Sequence, residues 1–147
     1  MELEEYRSTA HATWYCEYHV VFCPKYRQRI LTGSLGRLVR DVIREVCGWK
    51  GIEITEGHVC RDHVHLCLVV PPKMSVAEAV GTIKGKTSIR VFQKAPNLRR
   101  KVRGRSLWSR GYFVSTMGAD TETVRAYVRH QERKERRAEQ LGMDFDR

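Results

Sequence analysis

The order of elements along the chain predicts an α+β fold, β-α-β-β-α-β with a further helix at the C-terminal end. Three observations carry this. An alternating stretch from Thr13 to Phe22 reads as a strand, and from Leu35 the apolar period lengthens to helical spacing. Two strand-like runs, from about Ile52 to Cys60 and from Asp62 to Val70, then precede a second helical stretch.

Each element has a local cause. In the first strand Trp14, Cys16, Tyr18, Val20 and Phe22 face one way, and Tyr15, Glu17, His19 and Val21 face the other. Pro24 ends it, and Lys25, Tyr26, Arg27, Gln28 and Arg29 follow as a basic loop. Leu35, Leu38, Val39, Val42, Ile43, Val46 and Cys47 form one helical stripe, with Ser34 placed to cap its start and Gly48 and Gly51 to end it. The histidine-bearing strand stops at Pro71 and Pro72. Ser75 opens the next helix with Glu78 in the capping-box position, and Val76, Val80, Ile83 and Thr87 give it a buried side. Residues Asn97 to Arg105 read as a basic turn, Tyr112 to Met117 as a short strand closed by Gly118, and the last helix starts near Asp120. This order is the ferredoxin-like split βαβ, in which one sheet face packs on two helices and the other stays open. The chain reads as a single domain over 1–147, with a basic tail from about 133.

Charge narrows the partners. Lys and Arg number 27 against 17 Asp and Glu, a net charge of +10, which points to a polyanion and above all to nucleic acid. The first residues are acidic with no apolar run behind them, so a cytoplasmic protein is expected. Five cysteines with no CxxC spacing signal neither a disulfide framework nor a zinc knuckle, although Cys60, Cys67 and a histidine could together hold zinc.

The chemistry concentrates in Asp62-His63-Val64-His65-Leu66. Strand alternation projects His63 and His65 from one side, opposite the apolar stripe Val64, Leu66, Leu68 and Val70, which puts both imidazoles on the open face. Two such imidazoles are half of a divalent-metal site. Far downstream, Tyr127 and Gln131 stand four residues apart on one helix face. The Gln131 carbonyl oxygen suits Mg²⁺ or Mn²⁺ as a third ligand, and Tyr127 offers a hydroxyl nucleophile, with Tyr26 the next candidate. Strand order puts Glu17 and His19 beside the histidine pair, where Glu17 could orient a histidine and His19 could contact a phosphate. The candidate DNA contacts are Lys25 and Arg27 in the loop, Lys84, Lys86 and Arg90 on the second helix, and Arg99, Arg100, Lys101, Arg103 and Arg105 beyond it.

Assembled in this order, the motifs resemble the single-tyrosine HUH transposases of small bacterial insertion sequences. The stretches that carry the resemblance are Pro24-Lys25-Tyr26-Arg27, Asp62 to Leu66, Leu107-Trp108-Ser109 leading to Gly111-Tyr112-Phe113, and Tyr127 to Gln131. The Lys84 to Ser88 stretch fits more loosely, with Thr87 where the family usually shows serine. The resemblance implies a metal held by His63, His65 and Gln131, and a Tyr127 nucleophile that joins the 5′ side of the cut. It implies a hairpin substrate flanked by single-stranded DNA. It also implies a homodimer in which the tyrosine helix of one subunit commonly completes the active site of the other. Domesticated relatives acting on extragenic palindromes share these motifs. Three other classes compete: a non-catalytic single-strand nucleic-acid-binding module using Tyr15 and Tyr112 as stacking surfaces, a hydrolytic metal nuclease and, more remotely, a small metal-storage or zinc protein.

Overall fold

The structure, a computed structural model, describes residues 6–102, 106–116 and 121–145, with the side chains of the last helix described over 122–138. Arg103, Arg105, Met117, Gly118 and Asp120, all named above, lie outside the described residues. The elements are β1 (Arg7–Ser8), β2 (Thr13–Trp14), β3 (Glu17–Phe22), α1 (Gly33–Lys50), β4 (Glu53–Cys60), β5 (His63–Val69), α2 (Val76–Lys94), α3 (Leu98–Lys101), β6 (Phe113–Ser115) and α4 (Thr121–Phe145). The main sheet has the order β4-β5-β3-β6 and is antiparallel throughout, the split βαβ arrangement expected from the element order.

Several boundaries differ from the sequence reading. The stretch Thr13 to Phe22 is two strands, because β2 leaves the main sheet and pairs with β1 while β3 begins at Glu17. The alternation runs unbroken across that change of partner, so it could not mark it. Ser34 does not cap α1, whose N-cap is Thr32 without a side-chain bond, while Gly51 ends the helix in the left-handed conformation. Ser75 does cap α2, accepting from the Glu78 backbone N–H at 3.0 Å. The basic turn after α2 contains the short helix α3, and the basic segment from 133 continues α4 instead of forming a tail.

Between the sheet and the pair α1–α2 lies the main core. Val20, Phe22, Val64, Leu66 and Leu68 face Val39, Val42, Val46, Val80 and Ile83, all essentially excluded from water. At the end of β3 the Phe22 ring meets Trp108 edge to face, 4.8 Å between centroids. Trp108 arrives there because Leu107 and Ser109 pair with the backbone of Cys23 and Lys25. No helix among the described residues is long and apolar enough to cross a membrane.

The opposite sheet face is not fully open. Val124 and Val128 of α4 pack on Val21 of β3, with Phe113 and Tyr127 around them. The last helix therefore lies over the same face that carries the histidines.

Candidate active site

Cross-strand register builds the histidine face. Val21 stands opposite both His65 and Phe113, and His65 also stands opposite His58. One transverse row thus reads His58, His65, Val21, Phe113 across all four strands. The next row along holds Glu56, Cys67, His19 and Ser115. On the other side of His65, His63 stands opposite Cys60.

The two histidines have different surroundings. His63 Nδ1 lies 2.9 Å from Asp62 Oδ1, so its orienting carboxylate is its own sequence neighbour. His65 Nε2 is buried and has no hydrogen-bond partner among the described residues. Burial, then the neighbouring His19, His58 and His63, push the His65 pKa down, which keeps its imidazole neutral and its lone pair available. His19 sits beside this group: its ring centroid is 5.9 Å from that of His65, and its Nδ1 is 3.2 Å from Cys67 Sγ.

Glu17 is elsewhere. It stands opposite Val69, four residues from His65, or about 13 Å along the strand. Its carboxylate accepts from the Tyr15 hydroxyl at 2.8 Å and from Thr55 at 3.3 Å. The carboxylate partner expected from Glu17 is supplied by Asp62, which the i, i+2 reading of β5 had passed over. Cys60 and Cys67 are likewise separated by four positions of β5, so they do not share one site.

On α4, Tyr127 packs against Phe113 with ring centroids 6.0 Å apart. It stands above the Phe113 end of the row that contains His65, two strand spacings or about 10 Å from it. Burial pushes the Tyr127 hydroxyl up to about 12, against a smaller lowering by the hydrogen bond from Gln131. Gln131 is buried and gives its Nε2 to the Arg110 carbonyl at 2.7 Å and to the Tyr127 oxygen at 2.9 Å. A carbonyl can only accept, so the Arg110 bond fixes the amide orientation and leaves Oε1 as the atom free to accept or to ligate. Gly111 adopts φ +82°, and a Cβ there would stand 3.2 Å from Gln131 Nε2.

A second contact fastens α4. Glu135, about one helical turn beyond Gln131, reaches Lys25 Nζ at 3.0 Å, the Tyr26 backbone N–H at 3.2 Å and the Ser109 hydroxyl. It thereby holds a turn in which Tyr26 and Arg27 both take left-handed backbone angles, φ 57° and 51°. Tyr26 forms part of this turn, next to Arg27, which reaches Asp62 at 3.7 Å.

The candidate DNA contacts divide into committed and exposed residues. Lys84 is partly buried and donates to the carbonyls of Ser109 and Gly111 at 2.8 and 2.7 Å, and burial lowers its pKa. Arg90 pairs with Glu45 at 2.7 Å and lies over the Trp49 ring. Arg27 spans Glu132 at 3.1 Å and Asp62 at 3.7 Å, and Arg99 lies over Phe92. Lys86, Arg100 and Lys101 are exposed. The sequence reading missed a groove beside His63 lined by Arg27, Arg29, Asp62, Arg125, Val128 and Arg129. The signal was present: Arg125 and Arg129 are an i, i+4 pair, each two residues before Tyr127 and Gln131.

The fold and the site together define a transposase. Residues 12–131 match the family described as "Transposase IS200 like", and the chain belongs to that family. It is 40% identical over 139 residues to the transposase for insertion sequence element IS200 of Salmonella typhimurium, covering 95% of this chain and 91% of the relative. It is 32% identical over 120 residues to the ISDra2 transposase TnpA of Deinococcus radiodurans, covering 81% of this chain and 86% of the relative. Among solved structures, a transposase from Deinococcus radiodurans R1 superposes with a TM-score of 0.79 at 27% identity, covering 85% of this chain and 97% of that one. A REP-associated tyrosine transposase bound to a REP hairpin shares the fold, with a TM-score of 0.52 at 14% identity over 82% of this chain and 68% of that one.

Proposed function

We propose that this transposase cuts and rejoins single-stranded DNA in the cytoplasm through a covalent link to Tyr127, at a divalent cation held by His63, His65 and Gln131. The observation that carries the reading is the buried, unpartnered Nε2 of His65 on the sheet face beneath the tyrosine helix. A neutral imidazole with a free lone pair, a second imidazole oriented by Asp62, and an amide oxygen left over by the Arg110 bond are donor types that suit Mg²⁺ or Mn²⁺, the Gln131 amide being held beside Tyr127 at the Phe113 end of the row. When bound, such a cation supplies positive charge at the scissile phosphate, which offsets the charge developing on the transferring group.

The side chains account for the remaining steps. The arginine groove beside His63 offers guanidinium groups to the phosphate backbone. The Tyr127 oxygen bonds to phosphorus, the P–O3′ bond breaks, the tyrosine proton passes to solvent, and the departing 3′ oxygen takes up a proton. The phosphotyrosine on the 5′ side keeps the energy of the broken ester, so a later 3′-hydroxyl can attack and rejoin the strand. With its pKa near 12 in this position, the Tyr127 hydroxyl is a poor nucleophile until substrate and cation are in place. We extend the proposal to a hairpin substrate, because the fold is shared with a relative bound to a REP hairpin, and, from the family resemblance of the motifs alone, to a homodimer as the working unit.

The test is incubation of the protein with single strands from its flanking DNA plus Mg²⁺, resolved on a denaturing gel. A protein–DNA adduct that depends on metal supports the reading. Cleavage without an adduct would indicate a hydrolytic nuclease, and metal-independent binding without cleavage would indicate a binding module.

A further inference from the structure

On the histidine face, a second group of donors overlaps the first. One donor atom each of His19, His65 and Cys67 lies within 4.8 Å of the others. The three come from adjacent strands, since His19 stands opposite Cys67 and His65 is two residues from Cys67 on β5. Cys67 is buried, and His19 already lies in contact with it at 3.2 Å. A thiolate with two imidazoles is a poor set for Mg²⁺, which prefers oxygen, and a good one for zinc. Zn–N bonds of about 2.0–2.1 Å and Zn–S bonds of about 2.3 Å put tetrahedral donors about 3.3–3.6 Å apart. The cluster therefore needs to contract by about 1 Å, within the reach of side-chain rotation. Glu56 is the cross-strand neighbour of Cys67; its exposed carboxylate holds the His58 ring at 3.0 Å through Oε1, which leaves Oε2, or a water, for the fourth position.

We propose that His19, His65 and Cys67, completed by Glu56 or water, form a zinc site that takes His65 out of the catalytic pair and so switches strand cleavage off. Binding exchanges the Cys67 proton for the metal, releases that proton to solvent and changes no oxidation state. The inhibitory part rests on the reading that His65 holds the catalytic cation, whereas the site itself does not.

Cobalt is the spectroscopic stand-in for zinc. Titrating EDTA-stripped full-length protein with Co²⁺ should give a thiolate-to-cobalt charge-transfer band and the visible intensity of tetrahedral cobalt, and zinc should bleach both. Cys67→Ser should lose the charge-transfer band and weaken zinc binding at least about tenfold, and His19→Gln should lose tetrahedral intensity. His63→Ala should keep both signals, because His63 is outside the cluster. Cys67→Ala serves if the serine variant fails to fold, which circular dichroism reports. A band that survives in the Cys67 variants, or disappears in His63→Ala, overturns the site. Zinc should also abolish Mg²⁺-dependent cleavage by the parent protein, and cleavage by Cys67→Ala should resist it. Zinc binding without inhibition overturns the switch. A parent protein that binds zinc as described but never cleaves with Mg²⁺ overturns the catalytic reading and leaves the zinc site standing.

Discussion

Gln131 donates its side-chain amide to the Tyr127 hydroxyl at 2.9 Å, one turn away on α4, while the same nitrogen donates to the Arg110 carbonyl at 2.7 Å. The nucleophile candidate and the ligand candidate are therefore one unit, and the loop before β6 sets its orientation. Changes to that loop should be felt at Tyr127.

Tyr127→Phe keeps the ring against Phe113 and removes only the oxygen. Cleavage and adduct formation should both vanish, with hairpin affinity changed by less than about threefold and stability by about 1 kcal/mol from the lost hydrogen bond. Denaturing gels and a gel-shift titration measure the two. A surviving adduct would move the nucleophile to another residue.

Gly111→Ala should disturb the same unit from outside it. The left-handed backbone costs about 1–2 kcal/mol with a side chain, and the new Cβ crowds Gln131 Nε2 at 3.2 Å. Cleavage should fall at least about tenfold, and more than it does in Gln131→Ala, where water can stand in for a neutral oxygen ligand. Equal rates for Gly111→Ala and the parent would show that the amide orientation is unimportant.

Asp62→Asn should weaken Mn²⁺ binding by about 10–100-fold, because Asp62 is the carboxylate on His63 Nδ1. Glu17→Gln should leave it within about twofold, since Glu17 is engaged by Tyr15 and Thr55. Calorimetric titration of both variants decides the matter, and the reverse ranking would restore Glu17 to the site.

Lys84 and Lys86 should part company in salt titrations. Lys86→Ala should reduce the salt slope of DNA binding by about one unit, as expected for an exposed cation on phosphate. Lys84→Ala should instead lower thermal stability, because two loop carbonyls lose their donor. Identical slope changes in the two variants would contradict this division.

Alkaline pH should unfold the protein through its buried thiols. Burial pushes Cys23 up to about 11 and Cys47 up to about 12, from 9.0 in the unfolded chain. Above pH 9 the unfolded chain loses these protons while the folded chain retains them. The stability they contribute is complete below that pH and is lost as pH rises towards the folded values. Each thiol should account for about 1 kcal/mol per pH unit, and Cys47→Ala should remove one such share from the slope between pH 9 and 10.5 in urea titrations. A flat stability over that range would refute it.

Local chemistry explains which features the sequence made legible. The split βαβ order, the shared face of His63 and His65 and the Tyr127–Gln131 pair all follow from periods of two and of 3.6, so they could be read directly. The covering of the histidine face by α4 could not. Val124 and Val128 announce an apolar stripe, but nothing local says that its partner is Val21. Charge alone did not reveal these partners either. Lys84, read as a DNA contact, donates to the carbonyls of Ser109 and Gly111, and Glu135, which no motif singled out, takes Lys25 and the Tyr26 backbone N–H. Partners so far apart in sequence leave no trace in its periodicity.

The transverse row His58, His65, Val21, Phe113 also carries an evolutionary consequence. Each member comes from a different strand, so the row exists only while all four keep their mutual phase. Inserting or deleting one residue within β3 or β5 would rotate the imidazoles into the core and the valines and leucines outwards. In β4 the register shift between Ile54 and Glu56 takes up one extra residue without loss of the row, so a change of strand length is compatible with this face only where a bulge absorbs it.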